Sequence, residues 1–167
     1  MNAAYFQMLA RYNQWANNHV LAACQTLEQV DLDAPREAFF PSITKTLNHL
    51  LVADTLWVAR LRGEVLNRAL DDVPWPLFED YKAARLACDQ DLIALVDGLS
   101  DADLSKTIAY KTVAGTPYET SCHIILGHVF NHQTHHRGQV HSQLMSAGCP
   151  SLEIDLIYYA LAQGYLK

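Results

Sequence analysis

The sequence predicts an all-α fold, a four-helix bundle with a short fifth helix. Three observations carry the prediction. Four long stretches repeat apolar residues at three- and four-residue steps, the spacing of one helix face. All six prolines fall between those stretches or at the first turn of one. No internal repeat, low-complexity tract or linker divides residues 1–167, so the chain reads as a single domain.

The first helix is expected from residue 1 to about residue 30, on Phe6, Leu9, Tyr12, Asn13, Ala16, Val20, Cys24 and Leu27. Leu32 to Pro41 is a connector broken by Pro35 and Pro41. Ser42 is the expected N-cap of a second helix that runs to about Arg62, with Arg60, Arg62 and then Gly63 as C-terminal signals. A loop holding Pro74, Trp75 and Pro76 leads to a third helix, from about Leu77 to Val96, closed by Gly98. From about Lys106 to Pro117 the alternation of Thr107, Ile108, Tyr110, Thr112 and Val113 fits extended chain or a short hairpin.

Thr116-Pro117-Tyr118-Glu119 has the pattern of a capping box with proline at the first helical position, and predicts the start of the fourth helix there. That helix is expected to reach about Ala147 and stop at Gly148, before Pro150. The fifth is expected from Ser151 to about Gln163. Trp15, Trp57, Tyr158 and Tyr159 sit at helical spacings and are expected to pack the bundle.

Composition narrows the function. A formal net charge of −6 with no Lys/Arg cluster argues against nucleic-acid binding, which needs a basic footprint. No apolar run reaches the roughly 18 residues of a membrane span, and the polar residues Tyr12, Asn13, Gln14, Asn17 and Asn18 interrupt the N-terminal stretch. Cys24, Cys88, Cys122 and Cys149 form no CxxC pair and read as small apolar residues in a reducing compartment. The expectation is a soluble cytoplasmic protein.

The most informative stretch is His128-Val-Phe-Asn-His132-Gln-Thr-His135-His136-Arg137-Gly138-Gln139. Residues three and four apart share a helix face, so these histidines form an imidazole stripe. Neutral imidazole is a good ligand for zinc, nickel, copper and iron. Two imidazoles from one helix need a further donor, and His49 in the middle of the second helix is the candidate. Spacing alone does not choose between His128/His132 and His132/His136. There is no HExxH, so no glutamate stands ready as a metalloprotease base. Gln139 is placed to orient a ligand from behind or to lie in solvent. Arg137 is placed to hold an anion or to face water.

These motifs occur in an order that resembles the DinB family of the DinB/YfiT-like superfamily. The resemblance rests on Tyr12-Asn13-Gln14-Trp15-Ala16-Asn17, Thr46-Leu47-Asn48-His49-Leu50-Leu51-Val52-Ala53-Asp54, the histidine stretch, and Asp155-Leu-Ile-Tyr158-Tyr159. It covers nearly the whole chain. It implies a bundle of up-down-down-up type, often a homodimer, and a divalent metal, zinc or nickel, held by three histidines. The ligand positions fall on His49, His132 and His136. His128 is then a packed or supporting histidine, and His135 faces away from the ion or bonds nearby backbone. Some members of the superfamily are thiol-S-transferases. The expected function is therefore a metal-dependent thiol-S-transferase or hydrolase acting on a small molecule, with a low-molecular-weight thiol as possible substrate. The alternative is a metal-binding stress-response protein without turnover.

Overall fold

In the computed structural model, which describes residues 2–165, the four long helices are α1 (Ala3–Cys24), α3 (Ile43–Leu61), α4 (Phe78–Asp97) and α6 (Cys122–Ser146). Their directions follow from which residues meet. Phe6 stacks on Phe130, and Asn13 accepts from Arg137, so α1 and α6 run parallel. Arg11 pairs with Asp97, and Asn17 with Asp89, so α4 runs against α1. Thr46 donates to Gln143, and Trp57 lies on His128, so α3 runs against α6. The bundle is up-down-down-up, as the resemblance implied.

Local signals explain most boundaries. Asn2 caps α1 by accepting from the Tyr5 amide. Ser42 caps α3 by accepting from the Lys45 amide, and Gly63 leaves that helix at φ 73°. The left-handed turn there suits glycine, which has no Cβ to clash.

Three expectations are corrected. The first helix ends at Cys24, and Gln29–Asp33 forms a separate short helix, α2. The Thr26 and Leu27 amides bond the Ala23 and Cys24 carbonyls, which tightens and closes the last turn. The fourth helix does not begin at Thr116. Residues Pro117–Ser121 form strand β2, paired antiparallel with β1 (Thr107–Lys111), and α6 starts at Cys122. Five cross-strand pairs and the stacked rings of Tyr110 and Tyr118 outweigh the capping pattern. Pro117 is tolerated because it opens the strand. The real capping box is Ser100 with Asp103, which starts a short helix, α5 (Asp101–Leu104), that the periodicity did not distinguish. The last helix, α7, spans Leu156–Ala162 rather than beginning at Ser151. The Leu152 amide donates to His141 Nε2, and the Ile154 carbonyl accepts from the Tyr12 hydroxyl. These bonds hold that approach outside the helix.

The interior is apolar toward both ends and charged in the middle. Arg85, 2% exposed, donates to Asp54 of α3 and to Asp89 of its own helix, both at 2.7 Å. Gln133 of α6 donates to the same oxygen of Asp54. Arg137, also 2% exposed, donates to the side-chain carbonyls of Asn13 and Asn17. Those two amides in turn donate to Asp89. Two guanidinium groups thus balance two carboxylates, while Asp54 Oδ1 and Arg85 Nε are buried without a protein partner. Arg137 therefore holds α1 to α6 and neither faces solvent nor waits for an anion.

Removing one partner of a buried pair leaves an uncompensated charge, which costs about 3–5 kcal/mol. Arg85→Met should lower the unfolding free energy by about that much in urea denaturation. A loss below about 1 kcal/mol would mean that Asp54 and Asp89 find other partners.

Candidate metal centre

Helix α3 presents His49 toward α6, which presents His132 and His136 one turn apart. The three residues form a group whose potential ligand atoms lie within 4.8 Å of one another. His49 Nε2 is 3.2 Å from His132 Nε2 and 3.2 Å from His136 Nε2. Of the two pairs that spacing left open, the structure brings His132/His136 to His49. The ring of His128 instead lies edge-on to Trp57, at 4.9 Å, and 5.5 Å from the ring of His132. His135 is exposed, its Nε2 3.3 Å from the amide nitrogen of Gln139.

The far side of each ring sets what the near side offers. His49 Nδ1 is 2.9 Å from the Leu70 carbonyl, which can only accept, so Nδ1 carries the proton and Nε2 keeps its lone pair. His136 Nδ1 is 2.8 Å from Gln139 Oε1, with the same consequence. At least two lone pairs therefore point at the same small volume. His132 can donate a proton to only one of them, and its Nδ1 is buried without a partner.

Imidazole lone pairs that converge in this way repel unless a cation lies between them. Donors about 2.0–2.1 Å from one tetrahedral ion would stand about 3.3 Å apart, close to the separations observed. The residues present fit a divalent ion of the kind that imidazole binds.

The surroundings keep the imidazoles uncharged. Burial, followed by the neighbouring His136 and His49, pushes the pKa of His132 down to about 3. Burial also lowers those of His49 and His136. Phe40, just before the cap of α3, stacks on His49 with ring centroids 4.3 Å apart and tilts over His136 at 5.9 Å.

Asn48, beside His49, clamps the following loop by donating to the Trp75 carbonyl and accepting from the Trp75 amide. The clamp supports the loop whose Leu70 carbonyl meets His49. Phe40 and Leu70 carried no sequence signal: one lies in a connector, and the other contributes only backbone. Gln139 was legible because it sits three residues beyond His136 on the same face.

Comparison with known proteins agrees with this architecture. The family model described as "DinB family" matches residues 1–164. Protein DinB of Bacillus subtilis (strain 168) is 27% identical over 157 residues, covering 90% of this chain and 91% of that protein. A crystal structure of a DinB-like protein from Bacillus cereus superposes with a TM-score of 0.69 at 16% identity, covering 90% of this chain and 96% of that one. At that identity the superposition speaks for the fold alone.

The depressed basicity of His132 has a consequence for stability. Between its folded value of about 3 and the ordinary value of 6.5, the unfolded chain binds the proton that the folded one refuses. Chelator-treated protein should thus keep this contribution above pH 6.5 and lose it as pH falls. Urea midpoints measured from pH 6.5 down to about pH 5 should fall in the native chain, less the opposing contribution of Asp54, whose burial lifts its carboxyl to about 6 and which titrates alike in His132→Ala. The fall should be shallower in His132→Ala, and equal slopes would contradict the assignment.

Proposed function

The chain belongs to the DinB family, and from that premise we propose that it is a metal-dependent enzyme acting on a small molecule at the His49, His132 and His136 cluster. The observation that carries this reading is the convergence of the Nε2 atoms, with two of the rings fixed from behind by Leu70 and Gln139. Zinc or nickel suits the all-imidazole donor set.

Three neutral donors leave the full charge of a divalent ion uncompensated. They also fall one short of the four protein ligands that close a structural zinc site. An ion held there would supply Lewis acidity, lowering the pKa of a water or a thiol so that it becomes a nucleophile near neutral pH. The histidines stay unprotonated because burial disfavours their charged forms, so their lone pairs are available. Gln139 fixes the orientation of His136, the Leu70 carbonyl that of His49, and Phe40 shields one side of the trio from water.

Of the two branches, thiol transfer is the more concrete. The thiol loses its proton to solvent, its sulfur forms a bond to an electrophilic carbon, and the leaving group departs with the bonding pair. Hydrolysis follows the same course with water in place of the thiol. A cytoplasmic setting is part of the reading and is supported by four free, buried cysteines. No described helix is long and apolar enough to cross a membrane. A homodimer is the assembly we propose with it.

Protein purified without an affinity tag should contain one equivalent of zinc or nickel by elemental analysis, and His132→Ala should contain little. Gln139→Ala should weaken metal affinity roughly 10–100-fold while leaving the fold intact by circular dichroism. Turnover of a chlorinated aromatic or epoxide with a panel of thiols should vanish on chelation and return with zinc or nickel. A bound ion that exchanges no ligand with added thiol or azide, and whose removal unfolds the chain, would favour the stress-response alternative.

A further inference from the structure

A second feature lies along α3 from the histidines. Arg60 is half-buried, its guanidinium carbon 4.4 Å above the ring of Trp57 and 5.0 Å from that of Tyr110. Among the described residues no carboxylate pairs with it, whereas Arg11, Arg62 and Arg85 each hold an aspartate. Among the described residues its side-chain nitrogens find no hydrogen-bond partner, and two aromatic rings lie beside it. Such a guanidinium is pre-organised to receive a planar anion in bidentate fashion.

Arg60 opens onto a cavity of about 680 Å³ between the β1–β2 hairpin and the loop that follows α3. That volume is in the range of small-molecule sites. Its walls are largely apolar or aromatic: Tyr110 and Tyr118, stacked at 6.1 Å, Val113, and across from them Val65 and Leu66. Val65 is 96% exposed, and both Leu66 and Tyr118 are exposed, so this apolar surface is open to an occupant. The acidic residues at its edge, Glu64 and Glu119, are exposed, as is Lys111. The aromatic wall is continuous with the metal centre, because Trp57 also packs on His128, which neighbours His132.

We propose that this cleft binds a small organic carboxylate, its anionic end held by Arg60 and its apolar or aromatic body lying against Tyr110, Tyr118 and Val65. The assignment of the cleft stands on its own residues, but its role as a substrate subsite rests on the metal-dependent reading above. Arg60 follows His49 by eleven residues, about 16 Å of helix. A substrate joining the two would be elongated, its carboxylate remote from the reacting end. The carboxylate can belong to the thiol or to its electrophile.

The test uses 4-phenylbutyrate and its uncharged amide, titrated by calorimetry into zinc-loaded and chelator-treated protein. The acid should bind about tenfold or more tightly than the amide. Arg60→Gln should abolish that preference without weakening the amide, and Arg60→Lys should retain part of it. Acid and amide binding alike, a preference that survives Arg60→Gln, or no binding of either would overturn the proposal. A preference present in both preparations from a chain that shows no metal-dependent turnover would keep the cleft and reject the enzyme reading. Titration of 6-mercaptohexanoate separates the two sources. Zinc loading that tightens this acid but not 4-phenylbutyrate assigns the carboxylate to the thiol, and no such gain assigns it to the electrophile. Both results require the same loss in Arg60→Gln.

Discussion

Asp54 receives a guanidinium from α4 and an amide from α6 on a single oxygen. The register of α3 depends on that junction. A slide of α3 by one turn, about 5.4 Å, would pull the carboxylate from both partners and leave charge buried without compensation. His49 stands five residues before Asp54, and His132 is adjacent to Gln133. The polar junction that fixes α3 against α6 therefore also fixes one imidazole above the other two. Apolar packing alone would tolerate small displacements between helices, since dispersion is not directional. Charged hydrogen bonds are directional, and they confine the donors to the few tenths of an ångström that ligation requires.

The order of the long helices was legible in the sequence because one-sided burial imposes a period, and breakers interrupt it. The facing of His49 toward His132 and His136 was also within reach, given helix spacing and the family resemblance. What escaped prediction involved competition between local and tertiary bonds. Thr116 to Glu119 carries a good capping pattern, yet pairing with Thr107–Lys111 takes the same residues into a strand. Ser151 to Ile154 would extend α7, but His141 and Tyr12 bind its backbone first. Arg137, beside a histidine stripe, reads from the sequence alone as an anion holder or a solvent-facing residue. Its burial follows from two asparagines more than a hundred residues away, a pairing that no local window contains.

The two polar systems inside the bundle solve opposite problems. Around Arg85 and Arg137 the charges are real, and each is met by a partner or an amide carbonyl. Around His132 the groups have been made neutral, and their lone pairs remain free on one side. Moving charge from the first system to the second would spoil both. A protonated His132 would repel the neighbouring rings, and an unpaired Asp54 would attract that proton. Keeping full ion pairs on one side and uncharged donors on the other is what allows a cation to be the missing element of the second.

The loop after α3 ties this centre to the cleft beside it. Its Leu70 carbonyl accepts from His49, its Trp75 is held at both backbone atoms by Asn48, and its Val65 and Leu66 form one wall of the cavity near Arg60. Leu70 and Trp75 are anchored through their backbone atoms by neighbours on α3, although the Leu70 side chain, like those of Val65 and Leu66, is exposed. An occupant of the cleft would lie against Val65 and Leu66, in the same segment whose Leu70 carbonyl orients an imidazole. Displacement that reached Leu70 would remove the acceptor that keeps the proton on His49 Nδ1, and with it the bias that leaves Nε2 free. One loop thus both lines the cleft and carries the carbonyl that sets the tautomer of His49.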